Sequence, residues 1–335
     1  MNKFWVLLFC LLSGFLLKSY SQTITPGNIN GPYGQGSSIA VPVTLNENTD
    51  FFKTDNEFKL YLSDASGSFA SETEIGNYTG FYTTFLNGTI PANTVAGNYR
   101  VRIKSSNPVT TSSPSASFEI RATNGVKAEI DAPAQQVIGG NNTKAFGSCS
   151  PGRNNLRYNF NNTSSAGASV TAVFRNEANP SDAQQLSFPS SPQQFIPEIT
   201  HYTIFVRAEL NGIIGTKAYF LINNRINTPF NPPGSSTVCL PLGELEYNVE
   251  TTSTNGIQLN FPGNTYQVTW GDGSVETFIL NQIKSTNGKI RHLYTKSSCG
   301  SQITIGNVRY YNVFGIIVQT QSQLCGDIGV PISSQ

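Results

Sequence analysis

The stretch YQVTWGDGSVETF, residues 266–278, alternates apolar and polar residues up to an Asp-Gly pair and resumes an extended pattern after it. Tyr266, Val268 and Trp270 share one face of an extended chain, because successive side chains of a strand point to opposite sides. Asp272 and Gly273 both tolerate the positive φ that tight hairpin turns require. The segment therefore reads as two antiparallel strands around a turn, with Gly271 permitting close approach and Trp270 directed into a core. HLY follows at 292–294, where His292 and Tyr294 stand two apart and face the same side of a further strand.

The same period recurs along the chain. YRVRIKS sets Tyr99, Val101 and Ile103 against Arg100, Arg102 and Lys104; FKLYLSD aligns Phe58, Leu60 and Leu62; HYTIFVRAEL runs from Tyr202 through Ile204, Val206 and Ala208 to Leu210. This is the pattern of half-buried antiparallel strands. No long stretch has a helical period, and 30 Gly and 18 Pro punctuate the short strands, as sandwiches require. The expected fold class is all-β, with tandem immunoglobulin-like β-sandwiches. At about 100 residues per sandwich, the chain divides into three, residues 22–122, 123–227 and 228–335. NTPFNPPGSS, residues 227–236, reads as a short stiff connector because its prolines fix backbone angles. Sandwiches joined by such connectors make a rod.

The amino terminus reads MNKFWVLLFCLLSGFLLKSYSQ. Lys3 precedes an apolar run from Phe4 to Leu17, and Ser19-Tyr20-Ser21 supplies small residues for cleavage, so residues 1–21 form a secretory signal. Lys18 ends the run short of the ~20 apolar residues a membrane span needs, and no other segment is long and apolar enough. The expected location is extracellular, at the cell surface. Without Lys3 and Lys18, 21 basic residues become 19 against 20 acidic ones, a balance that argues against nucleic acid, whose phosphates demand a clustered basic surface. Charged residues make up 12% of the chain, about half the usual share. Such a surface suits other cell-surface proteins or polysaccharide as partners.

Cys10 leaves with the signal, and Cys149, Cys239, Cys299 and Cys325 remain. In an exported chain they are candidates for disulfides, with three possible connectivities. Cys299 and Cys325 flank a strand-rich segment, which favours pairing them and leaves Cys149 with Cys239. Zinc is the alternative, but there is no CxxC pair and only His201 and His292 offer imidazole. No metal or cofactor is expected.

Asp272 has two readings besides the turn. A calcium site wants six to eight oxygens, and a catalytic acid wants a partner group and a cleft; neither is visible around it. The chain has no GxSxG, HExxH, Walker loop or GxGxxG. No catalytic residues, and no enzyme, are expected. Aromatic residues are dense in GNYTGFYTTF, residues 76–85. Tyr78, Phe81 and Tyr82 either stack on sugar rings or a partner, or fill a sandwich core.

WGDG followed by the His-x-Tyr strand resembles the PKD domain, an immunoglobulin-like sandwich of extracellular surface proteins and secreted enzymes. The resemblance covers the last third of the chain. Many PKD domains read W-x-F-G-D-G with a shorter path to His-x-Tyr, whereas here VETFILNQIKSTNGKIR intervenes. EFKLYLSDASGSFASETEIGNYTG and GTIPANTVAGNYRVRIKSSNP resemble a repeat of Bacteroidetes surface proteins. With KSSCG, the chain is similar to the amino-terminal part of large proteins that gliding bacteria export by type IX secretion. That resemblance implies a non-enzymatic structural or adhesive segment at the cell surface, its last sandwich PKD-like. The alternative is the non-catalytic, carbohydrate-binding part of a secreted polysaccharide-degrading enzyme. Members commonly end in a sorting domain; none is recognisable before Gln335, which on this resemblance implies a truncated or fragmentary member.

Overall fold

In the Glu57–Leu62 strand, Phe58, Leu60 and Leu62 are buried while the residues between them are half-buried, so the sequence alternation translates directly into burial. The computed structural model describes residues 22–47, 51–132, 136–138, 144–147, 157–188, 192–223, 230–231, 243–252, 256–270, 272–295, 303–305, 308–310, 317–321 and 332–333. The expected signal (1–21), most of the 227–236 connector, Gly271 and all four of Cys149, Cys239, Cys299 and Cys325 lie outside the described residues. Both expected disulfides lie outside them too.

Glu57–Leu62 pairs antiparallel with Thr73–Thr79 and Val101–Ser106, and Val109–Thr111 completes a four-stranded sheet. Thr23–Pro26, Ser38–Asn46 and Phe85–Thr89 form a three-stranded sheet. Ile39, Val41 and Leu86 from the second meet Phe58, Leu60, Val101 and Ile103 from the first in one core. On the other side of the four-stranded sheet, Glu72 pairs with both Arg102 and Lys104, which cover the rings of Phe69 and Tyr61. Surface ion pairs contribute little singly; the inward face holds the sheet.

A second core gathers Phe160, Phe174, Tyr202, Ile204, Val206 and Tyr219. Its main sheet runs Ala183–Ser187, Ser169–Asn176, Thr200–Leu210, Ile213–Asn223, all antiparallel. Ile130–Asp131, Tyr158–Asn162 and Gln193–Phe195 form a separate three-stranded sheet that supplies Ile130, Phe160 and Phe195 to the same core. Asn211 and Gly212, at φ 52° and 73°, connect the paired Leu210 and Ile213, a two-residue turn whose positive φ values Asn-Gly accepts.

That main sheet continues into the first sandwich. Ile214 pairs with Tyr33, Tyr33–Gln35 pairs with Phe118–Asn124, and this strand pairs with Gly97–Tyr99. With Lys144–Gly147, which pairs parallel with Ile213–Asn223, and Gln136–Ile138 beside it, one nine-stranded sheet results, and residue 122 lies inside one of its strands. Ile213–Asn223 is consequently buried on both faces. Tyr219 and Leu221 enter the second core, while Ala218, Phe220 and Ile222 pack with Ala40 and Phe85. Side chains complete the polar pairing. Asn87 accepts the Ala218 N–H through Oδ1 and donates to its carbonyl through Nδ2, both at 2.9 Å. Thr216 Oγ1 accepts the Ala40 N–H at 2.8 Å, and the Thr84 and Thr203 hydroxyls meet at 2.6 Å. Gly215 is required by the close approach, since a Cβ there would lie 2.0 Å from the Val126 carbonyl oxygen. The first two sandwiches are therefore fused side by side. The rod of separate modules gives way here because each sandwich supplies apolar surface that only the other covers.

A third core holds Tyr247, Ile257, Tyr266, Val268, Trp270, Ile290 and Tyr294. Gly243–Val249 pairs with Lys289–Tyr294, and Thr265–Thr269 pairs with Val275–Ile279 and Ile317–Gln321. The insert after the hairpin contains a six-residue α-helix, Leu280–Ser285, with Leu280 and Ile283 buried. Gln282 Oε1 accepts the Ile279 N–H at 2.9 Å, and Asn287 and Gly288 follow its end at positive φ. Two apolar residues three apart are too few to show a helical period in sequence. Ile279 also joins the first core, Asn281 donates to Glu47, and Phe261 packs with Phe220 and Phe85. Among the described residues, no helix is long and apolar enough to cross a membrane.

Asn87→Ala would leave the Ala218 N–H and carbonyl without partners in a covered strand. The expected loss is about 1–3 kcal/mol, read by chemical denaturation of residues 22–335.

Candidate functional site

The residues with the most chemical potential meet at the end of the 265–279 hairpin. Thr269 pairs with Val275, and the Trp270 N–H donates to the Ser274 carbonyl at 3.1 Å, closing a loop in which Gly273 sits at φ 97°. The loop aims the Asp272 carboxylate at the Lys289–Tyr294 strand, whose Ile290, His292 and Tyr294 face inward. His292 Nε2 lies 2.9 Å from Asp272 Oδ2. Asp272 Oδ1 accepts the Ser274 hydroxyl at 2.5 Å and the Ser274 N–H at 2.9 Å. Both carboxylate oxygens are thus engaged by the protein.

Rings enclose the imidazole. Trp270 stacks on it at 4.6 Å with 8° between planes, and Tyr294 meets it edge-on at 4.6 Å. The Tyr294 hydroxyl donates to the Trp270 carbonyl at 3.0 Å and lies 3.1 Å from the Tyr247 hydroxyl. Side-chain exposure is 8% for His292 and 10% for Asp272. Burial works against the Asp272 charge, but hydrogen bonds from His292 and Ser274 outweigh it and hold the carboxyl well below its usual range. Desolvation likewise pushes the Tyr294 phenol upward, reinforced by Tyr247.

Ser274, His292 and Asp272 contain the residue types of a nucleophilic triad in the wrong geometry. In a working triad the serine and the carboxylate address opposite ring nitrogens. Here Ser274 Oγ, at 3.2 Å, and Asp272 both face Nε2, and the serine proton goes to Asp272. The other nitrogen, Nδ1, lies 3.4 Å from Glu276 Oε1. No activated hydroxyl results. Clefts of about 650 and 690 Å³ lie beside Phe51, and neither is lined by Asp272, Ser274 or His292. The arrangement ties a turn to a neighbouring strand. Ser274 and Glu276 were not singled out from sequence; their period-two spacing from Asp272 is the signal that could have found them.

Phe81 is an interior residue, and Tyr78 and Tyr82 are half-buried. Phe81 is buried in the first core, where Tyr78 and Tyr82 pack against it. Burial raises the Tyr78 phenol to about 12 and the Tyr82 phenol further. Tyr82 stacks with Phe220 at 6.2 Å and meets Phe261 edge-on at 5.5 Å. Phe220 and Phe261, around Tyr82, belong to a fourth apolar cluster with Ala40 and Phe85. His201, the other imidazole, lies in the same junction, 3.5 Å from the Tyr82 hydroxyl.

No known family matches the chain, and no curated protein does. Similar solved structures include the FN1–FN3 domains of chicken CNTN1, with 11% identity and a TM-score of 0.25 over 93% of this chain and 99% of that one. The fibronectin(III)-like modules of Clostridium thermocellum CbhA share 12% identity, with a TM-score of 0.21 over 61% and 95%. Extracellular domains 3–5 of Drosophila OTK share 10% identity, with a TM-score of 0.23 over 90% and 94%.

Asp272→Asn removes the charge that both partners address and is expected to cost about 1–3 kcal/mol at pH 7, as for a hydrogen bond to a charged group. The folded pKa is depressed, so the contribution is complete above the unfolded value of about 3.9 and fades as pH falls through the folded one. Urea titrations at pH 7 and pH 3 should show the gap between wild type and variant narrowing in acid.

Proposed function

We propose that this chain is an exported, non-enzymatic segment at a bacterial cell surface, in which immunoglobulin-like sandwiches form one stiff structural or adhesive body. We assign the sandwiches to residues 22–122, 123–227 and 228–335, the last PKD-like, and place the chain with the proteins that gliding bacteria export by type IX secretion. The observation that carries this reading is the fourth apolar cluster, separate from the three cores, to which all three sandwiches contribute. Ile213–Asn223 is covered on both faces, and Phe220 meets Phe85 of the first sandwich and Phe261 of the third at 4.7 and 5.2 Å. Joints of this kind resist bending and transmit load between sandwiches, as a projecting or displaying segment requires. The self-contained Asp272–His292–Ser274 cluster supports a structural reading over a catalytic one, because its polar groups are turned on each other. The aromatic and Thr-rich interior supports it as well: these groups bind neighbouring sandwiches. Other cell-surface proteins or polysaccharide are the partners proposed for the outer surface.

Two measurements test the reading. Protease added to intact producing cells should remove the chain, which places it outside. Purified residues 22–335 should neither hydrolyse polysaccharide substrates nor bind a glycan array in a manner lost on changing Tyr78, Phe81 and Tyr82 to alanine. Hydrolysis with a defined product would replace the structural reading with an enzymatic one. Sugar binding lost in that triple variant, with the fold retained, would favour a carbohydrate-binding module.

A further inference from the structure

Phe261 stands in an apolar cluster to which all three sandwiches contribute, with Ala40 and Phe85 of the first and Ala218, Phe220 and Ile222 of the second. It is 3% exposed, and its ring is met edge-on by Tyr82 of the first sandwich at 5.5 Å and by His201 and Phe220 of the second at 5.6 and 5.2 Å. Gly263 makes room for it, since a Cβ there would lie 2.3 Å from the Phe261 ring. One side chain of the third sandwich therefore plugs a socket lined by Tyr82 of the first and by His201 and Phe220 of the second, in an apolar cluster separate from the third core.

His201 is the titratable wall of that socket. It is 9% exposed, and its one side-chain polar contact among the described residues is the Tyr82 hydroxyl at 3.5 Å, the outer limit of a hydrogen bond. Of the charged groups around it, the one carboxylate, Glu177, is already paired with a cation, and it acts on the Tyr82 phenol. Lys284, on the helix of the third core, adds positive potential. The Glu177 N–H donates to the His201 carbonyl at 3.0 Å, but the Glu177 carboxylate is held by Arg175 at 2.8 Å. Arg175 itself stands opposite Thr203 in the strand pair and covers Phe205. Tyr82 is a phenol that burial keeps protonated. A proton on His201 would thus place a cation among aromatic carbons with no free counter-charge, which is costly.

We propose that this junction is an acid-operated latch: protonation of His201 expels Phe261 from its socket and weakens the hold of the third sandwich on the first two, a hold that Phe261 shares with Ile279 in the first core and Asn281 on Glu47. Burial first, and Lys284 second, hold the imidazole at about 4 against an ordinary value of 6.5. The released state, with His201 in water, takes up the proton more readily between those values. The closed state therefore loses stability as pH falls from 6.5 to 4 and loses no more below 4. A difference of that size weakens docking by up to about 300-fold, at tenfold per pKa unit.

Small-angle scattering of residues 22–335 at pH 7.5 and pH 4.2, with far-UV circular dichroism on the same samples, tests the latch. Wild type is expected to expand in acid while keeping its β signal. Phe261→Ala should be expanded at both pH values. His201→Phe keeps the ring without the proton site and should stay compact at both; should that variant misfold, His201→Gln serves the same purpose. Four results would overturn the proposal: unchanged wild-type scattering, equal acid expansion in the His201 variants, expansion accompanied by loss of the β signal, or a compact Phe261→Ala at pH 7.5.

Discussion

The Ile213–Asn223 strand is buried on both faces, and much of the architecture follows from that constraint. An antiparallel strand normally keeps one face for water. Here the run from Ala218 to Ile222 has no polar face to offer, so a second apolar layer must cover it. Ala40 and Phe85 of the first sandwich supply the layer, and Asn87 and Thr216 supply hydrogen bonds where the two backbones cannot pair directly. The coverage also engages the third sandwich, because its Phe261 packs beside Phe220 in the same cluster. Burial on this scale contributes roughly 25 cal/mol per Å² of apolar surface, far more than the exposed ion pairs of the outer sheet.

The Asp272 cluster shows the same economy on a smaller scale. Asp272, Ser274, His292 and Tyr294 are hydrogen-bonded within the cluster, and Trp270 stacks on the imidazole although its buried indole N–H has no hydrogen-bond partner among the described residues, so the turn, the 289–294 strand and Trp270 hold one another. Catalysis asks for the opposite: a group left short of partners and open to a substrate. The cluster's residue types alone would suggest reactivity; its distances and angles assign it to packing.

Much of the fold was legible because it rests on period-two alternation. Phe58, Leu60 and Leu62 point inward as their spacing predicts, and so do Val101 and Ile103. The Asp-Gly turn and the shared face of His292 and Tyr294 follow from backbone preference and strand geometry. The joints were harder to read. His201, Thr203 and Phe205 occupy what alternation marks as the outward face of Thr200–Leu210, yet His201 and Thr203 are buried. Their cover comes from distant residues, Tyr82 and Thr84 more than a hundred positions earlier and Phe261 later in the chain, and no local pattern encodes it. The unbroken apolar run in KAYFLINN is the trace such two-sided burial leaves, and it competes with the simpler reading of an edge that faces water. The helix at 280–285 escaped for a different reason: six residues are too short for a period to repeat.

The nine-stranded sheet has a consequence for how such a chain can change over generations. Tandem domains are often duplicated, deleted or exchanged as cassettes, which works when each carries a complete interior. The first two sandwiches do not, because Tyr33–Gln35 and Phe118–Asn124 extend a sheet begun by the second, and Asn87 serves the backbone of Ala218. A cut between them would expose Phe85 and Phe220 together and strand an open sheet edge. The heritable unit is the pair, and substitutions at Asn87 and Thr216 are bound to their partners across the seam.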